Sequence, residues 1–111
     1  MTFEIEIAPL AQDDLDDIED WLVDAAGAHV AARVVGRVFD RIAKLGEDAA
    51  TGTPRPEYGD AVRFVVSSPY VIYFDLSADR VTVLRILHKA RDRDAIMRGV
   101  QEEAAPFAAS A

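Results

Sequence analysis

Three apolar runs, at about residues 61–67, 70–76 and 80–88, are separated only by Ser68-Pro69 and by Ser77-Ala78-Asp79. Breaks this short leave no room for a crossover, so consecutive runs must pair as antiparallel hairpins. The runs are also apolar on both faces. In the middle run Tyr70, Ile72, Phe74 and Leu76 point one way, and Val71 and Tyr73 the other. Strict alternation in the last run puts Leu84 and Ile86 on one face and Val81, Val83 and Leu87 on the opposite one. A sheet of this kind has to be covered on both sides.

The upstream sequence supplies a cover for one side. Phe3, Ile5 and Ile7 alternate with Glu4 and Glu6, the pattern of a half-buried strand over residues 3–7. Pro9 suits a first helical turn, Leu15, Ile18, Leu22 and Ala25 recur at helical spacing, and Gly27 is a stop. The acids early in this helix are expected to meet its positive dipole end. A second helix over about 28–46 carries the stripe Val30, Val34, Val38, Ile42 and Leu45, flanked by Arg33, Arg37, Arg41 and Lys44. That basic edge is expected to match the acidic first helix across a helical hairpin. Residues 46–60 hold three Gly and two Pro and read as a loop. After residue 90, Ile96, Met97 and Val100 predict a short helix, and the end from Ala104 reads as a frayed tail. The expected fold class is α+β, in the order β-α-α-β-β-β, with the helical hairpin on one face of a small, mainly antiparallel sheet. One domain over residues 1–100 and a flexible tail at 101–111 are expected.

The hairpin covers one sheet face only. For the other face a partner protein or second copy is the preferred cover, because large exposed apolar patches mark interaction sites. The alternative cover is the C-terminal segment folding back with Ile96, Met97 and Val100.

Charge narrows the functions further. The net charge is −8, and residues 1–30 hold nine acids with no Lys or Arg, which leaves the remainder at +1. A phosphate backbone would meet a repulsive field, so direct nucleic-acid binding is not expected. With no cysteine and only His29 and His88, neither a disulfide framework nor a convincing zinc site is available, and no metal or organic cofactor is implied. There is no apparent signal peptide and no apolar run near the ~20 residues of a membrane span, so a cytoplasmic protein without membrane association is expected.

Several pieces carry a resemblance. They are Ala11-x-x-x-Leu15-x-x-Ile18, Ile42-x-x-Leu45, Val62-Arg63, Pro69-Tyr70-Val-Ile-Tyr73 and Val83-Leu-Arg85-Ile-Leu-His88-x-x-Arg91-Asp92. In this order and spacing, over roughly residues 3–98, the chain resembles the RelE/ParE toxin superfamily of type II toxin–antitoxin systems, and its ParE branch most. The resemblance implies a toxin that inhibits DNA gyrase by protein–protein binding and is neutralised by a cognate antitoxin in a hetero-oligomer. Plasmid stabilization and growth arrest go with that reading. It implies antitoxin contacts at Arg63, Tyr73 and Arg85, and target contacts at His88, Lys89, Arg91, Asp92, Arg93 and Arg98.

The alternatives are a RelE-like ribosome-dependent mRNA endonuclease and an attenuated binding module of the same fold. A nuclease would use Arg63, Arg85, His88 and Arg91, with His88, Glu57 or Asp60 to move protons. The loop that supplies several lysines in RelE-like enzymes holds here only Arg55, beside Glu47, Asp48 and Glu57. No aromatic residue lies between His88 and Ala105 to stack on a base. The reading therefore leans away from an enzyme.

These residues also have plainer roles. Arg63 and Arg85 can pair with acids of the sheet or of a bound antitoxin, His88 can hold the turn after the strand, Arg91 and Asp92 can form a local pair, and Trp21 and Tyr58 read as packing residues. The superfamily's toxins are commonly basic, whereas this chain is acidic. Its antitoxin would then rely on apolar contacts, or present Arg and Lys to the first helix.

Overall fold

The computed structural model describes residues 2–99. Strand β1 (Glu4–Ile7) leads into helix α1 (Pro9–Ala26) and helix α2 (Ala28–Asp48). A 3-10 turn at Ala49–Thr51, the two-residue strand β2 (Thr53–Pro54) and a second 3-10 turn at Pro56–Tyr58 follow. Strands β3 (Val62–Ser67), β4 (Tyr70–Leu76) and β5 (Arg80–His88) then form the meander. A third helix, α3, begins at residue 93 and is described as far as 99. Val100 and the tail at 101–111 lie outside the described residues.

The sheet order is β1-β5-β4-β3-β2. The two short breaks produce antiparallel pairs β3–β4 and β4–β5, as the apolar runs require. Strand β1 lies parallel to β5, with Ile7 opposite Val83, so the α+β sheet is mainly but not wholly antiparallel. Strand β2 pairs with Arg63 and Phe64 alone and was hidden in the Gly/Pro-rich loop.

Local chemistry explains the helical hairpin. Pro9 opens α1, where a missing N–H is no loss, and Gly27 closes it with its N–H on the Val23 carbonyl at 3.0 Å. Gly27 has φ +92°, a conformation that a side chain strains, and it also begins α2. The apolar stripe of α2 differs from the expected one. Ala31, Val35, Val38, Ile42 and Leu45 are buried, while Val30 and Val34 are only partly so. Repeated steps of four drift off a 3.6-residue helix, whereas alternating steps of three and four stay on one face.

Two electrostatic expectations fail. The first turn of α1 contains no acid, since the acids begin at Asp13. Among the described residues no ion pair joins α1 to α2. Arg33, Arg37 and Lys44 are exposed to water, and Arg41 approaches Asp48 of its own helix at 3.9 Å. The two helices meet through apolar sides, and Arg33, Arg37 and Lys44 stay on the outer surface.

The main core lies between the helices and the sheet, with Leu15, Val38, Ile42, Leu45, Ile72 and Phe74 at its centre. At Gly52 the backbone runs so close to the Phe74 ring that an added Cβ would sit 2.6 Å from Cζ. Strict alternation fails in β5. Tyr73 faces Arg85 but Phe74 faces Val83, so Leu84 bulges without a partner. Val81, Val83 and Ile86 therefore all join the helix-side core, and Leu84 joins Leu87 on the other face.

That other face has a cover of its own. Met97 of α3 is 1% exposed and packs with Val71, Tyr73 and Leu87, and Ile96 lies beside them. The preferred expectation of a partner over this face is thus corrected at its centre. Two adjacent large side chains on one short helix suffice there, because Met adapts to an irregular surface. Val66, on the same face, stays 51% exposed. Among the described residues no helix is long and apolar enough to cross a membrane.

Candidate functional site: a cation-rimmed groove

Beside α3 the second sheet face opens into a groove of about 490 Å³. Its floor includes Phe64, Val66 and Tyr73, successive outward positions of β3 and the facing position of β4. One wall is the turn after β5, which carries Lys89, Arg91 and Arg93. Arg55 closes the rim, its guanidinium 4.5 Å from the centre of the Phe64 ring.

The turn is held rigidly by its own backbone. The Lys89 N–H donates to the Pro69 carbonyl at 2.9 Å and the Arg91 N–H to the His88 carbonyl at 3.0 Å. The Ala90 N–H donates to His88 Nδ1 at 3.0 Å, and Arg93 Nη1 donates to the Lys89 carbonyl at 2.7 Å. Asp92 then caps α3, its Oδ1 accepting from the Ala95 N–H at 3.2 Å.

A second set of bonds ties α3 to the sheet. Tyr58 stands edge-on to Tyr73 at 5.9 Å, and its hydroxyl donates to Asp94 Oδ1 at 2.7 Å. Arg98 Nε donates to Asp94 Oδ2 at 2.9 Å. Desolvation, followed by the bond to Asp94, pushes the Tyr58 hydroxyl up to about 12. The Tyr58 and Arg98 bonds hold Asp94 below the usual carboxylate range, and Asp94 in turn raises Arg98. Tyr58 therefore stays protonated and Asp94 ionised at neutral pH, which makes neither a ready agent of proton transfer.

Other residues singled out in the sequence lie elsewhere. Arg85 reaches Asp14 of α1 with Nε at 2.7 Å and Nη2 at 2.8 Å, and the same carboxylate accepts the Ile86 N–H at 2.9 Å. Arg63 donates to the carbonyls of Gly52 at 2.8 Å and Ala50 at 3.2 Å. His88 turns its ring edge-on to Tyr70 at 5.6 Å and lines a smaller recess of about 360 Å³ on the helix side. Burial raises the Tyr70 hydroxyl. Glu57 and Asp60 are exposed and line neither recess. Among the described residues no group of His, Cys, Asp and Glu is placed to hold a metal.

The groove thus gathers Tyr73, Lys89, Arg91, Asp92 and Arg93, and it separates them from Arg63, Arg85 and the His88 ring. Arg98 joins through Asp94. Among the described residues, Arg91 alone lines both recesses. Arg55, Phe64 and Val66 were missed. Alternation along β3, applied as it was along β4, marks Phe64 and Val66 as companions of Tyr73 and Val71. Trp21, read as a packing residue, is 65% exposed at the mouth of the smaller recess. The groove can receive anionic and apolar groups together, with its own acids already engaged.

Comparisons with known proteins agree with this architecture. The family model described as ParE toxin of type II toxin-antitoxin system, parDE, matches residues 5–93, from β1 to the turn that carries Lys89, Arg91 and Arg93. A solved structure titled "Chromosomal ParDE TA system from P. aeruginosa" has a chain that matches with a TM-score of 0.68 and 25% sequence identity, covering 78% of this chain and 96% of that one. No curated protein matches the chain.

Proposed function

The chain belongs to the ParE toxin family of type II toxin–antitoxin systems, and from that premise we propose that it inhibits DNA gyrase by protein–protein binding and is neutralised by a cognate antitoxin. The observation that carries this reading is the dispersal of the proton-transfer candidates. His88 faces the helix side with Nδ1 occupied, Glu57 and Asp60 stand outside the groove, and Tyr58 and Asp94 hold each other. Strand cleavage needs a base and an acid on opposite sides of one phosphate, whereas binding a protein needs only the cations and the apolar floor.

In this reading the segment from His88 to Arg98 faces the target. The antitoxin takes the helix side, where Trp21, Tyr70 and the acids of α1 favour an apolar anchor flanked by Lys or Arg. Arg63 and Arg85 then contribute by shaping the sheet, through their bonds to Gly52 and Asp14. Arg91, on the border between the recesses, makes the two occupants neighbours.

A supercoiling assay with purified gyrase tests the reading, run beside translation of a reporter mRNA. Inhibition of supercoiling that the antitoxin relieves, with intact mRNA, is the expected result. A second reading, ribosome-dependent mRNA cleavage, is favoured by Lys89, Arg91 and Arg93 beside the rings of Phe64 and Tyr58. Cut mRNA with unimpaired supercoiling would replace the first reading by the second.

A further inference from the structure

We propose that the groove is the docking site for an acidic, extended segment of the protein that the toxin inhibits, laid along the outer edge of β3 with a bulky apolar side chain on Val66 and carboxylates toward Lys89 and Arg91. The assignment of the segment to the target rests on the inhibitor reading above; the chemistry of the occupant rests on the groove.

Charge is the first argument. Of twelve Lys and Arg in a chain of net charge −8, four line this one groove: Arg55, Lys89, Arg91 and Arg93. The neighbouring acids are engaged, Asp92 in capping α3 and Asp94 with Tyr58 and Arg98. The side chains of Lys89 and Arg91 are exposed and make no hydrogen bond or ion pair among the described residues.

Backbone is the second. Strand β2 ends its pairing at Phe64, so among the described residues no strand lies beside Val65–Ser67 on the outer edge of the sheet. An open edge is a template for an incoming strand, whose alternate side chains fall ~7 Å apart on the same face. Apolar area is the third, because Val66 is 51% exposed on a floor that it shares with the rings of Phe64 and Tyr73. A long polyanion fits less well than a short acidic segment. Beyond a Debye length of about 8–10 Å a nucleic acid would meet the acidic remainder of the molecule.

The test uses the full chain and a fluorescein-labelled peptide of alternating Glu and Val, read by fluorescence anisotropy. Saturable binding is expected, weakening as salt rises. The double variant Lys89→Glu, Arg91→Glu should lose about tenfold or more in affinity, and Val66→Asp a similar factor. Arg33→Glu with Arg37→Glu, on the exposed side of α2, should bind as the wild type does. Circular dichroism and thermal melting confirm that each variant is folded. Equal binding by the groove double variant overturns the proposal, as does tighter binding of a single-stranded RNA of the same length. Adding the peptide to the supercoiling assay separates the two readings. Relief of inhibition supports both. Peptide binding with no gyrase inhibition by the wild type supports the site and overturns the gyrase assignment.

Discussion

Replacing Asp14 by Ala should be among the most destabilising single changes in this protein. Strand β1 runs out at Ile7, opposite Val83, and among the described residues no strand lies on the outer edge of β5 beyond that point. Asp14, 7% exposed on α1, takes the place of the missing strand by accepting the Ile86 N–H and gripping Arg85 with both oxygens. The side chains of Arg85 and Asp14 are 16% and 8% exposed, so solvent screens the pair little. Removing one partner of a buried pair costs about 3–5 kcal/mol, and the abandoned Ile86 N–H is part of that sum rather than an addition to it. A domain of this size should then lose roughly 10–25 °C of melting temperature. Asp14→Asn keeps an acceptor and should fall between. Asp14→Leu combined with Arg85→Met should sit only about 1–3 kcal/mol below wild type, the deficit of the Ile86 N–H alone. Urea denaturation of all four proteins measures this. A loss under about 1 kcal/mol for Asp14→Ala, or a double variant weaker than the single one, would refute the reasoning.

Three further outcomes are expected. Gly52→Ala should destabilise by about 1–3 kcal/mol, because its Cβ would press on the fully buried Phe74 ring at 2.6 Å; unchanged urea midpoints would contradict that contact. Met97→Ala should cost about 2–5 kcal/mol and raise the fluorescence of an apolar dye, since Val71, Tyr73 and Leu87 lose their cover; no rise in dye signal would mean that α3 is not that cover. Ultraviolet titration should show one tyrosine ionising near pH 12, absent in Tyr58→Phe. A raised value in the folded state means that Tyr58 contributes its full stability below pH 10.0 and loses it as pH climbs to about 12. Asp94 has the opposite sign: its contribution holds above the ordinary carboxylate value of 3.8 and disappears as pH falls through its lowered folded value. In Tyr58→Phe the Asp94 carboxyl, followed by carbon NMR, should titrate closer to 3.8, and an unmoved value would break the link.

Local signals account for most of what could be read in advance. Pro9 and Gly27 frame α1, and the Ser68-Pro69 and Ser77-Ala78-Asp79 breaks set the meander within a residue of its observed limits. What escaped depends on residues far apart in the chain. Nothing near Leu84 announces a bulge, because both alternation patterns are apolar there and only packing of Val83 and Ile86 on one core chooses between them. For Arg85 an acid partner was foreseen, but not that it would be Asp14 of α1, 71 residues away. The site divides in the same way. The cations Lys89, Arg91 and Arg93 stood in one run and were picked together, whereas Tyr58 meets Asp94 across 36 residues. The cover by α3 was undervalued because the segment is short and mostly polar or alanine, whereas two of its residues, Ile96 and Met97, provide the packing.

The parallel pairing of β1 with β5 also sets an order of events during synthesis. Residues 4–7 leave the ribosome early, but their partners are residues 80–83, 76 positions later. At about 5–20 residues per second that is a wait of roughly 4–15 s. The helical hairpin can close in that interval, while the sheet edge that receives β1 does not yet exist. Lys89, Arg91 and α3 emerge later still, so the groove is finished only after the whole sheet has been made. A nascent chain interrupted anywhere before residue 88 is therefore an unclosed scaffold with no finished groove.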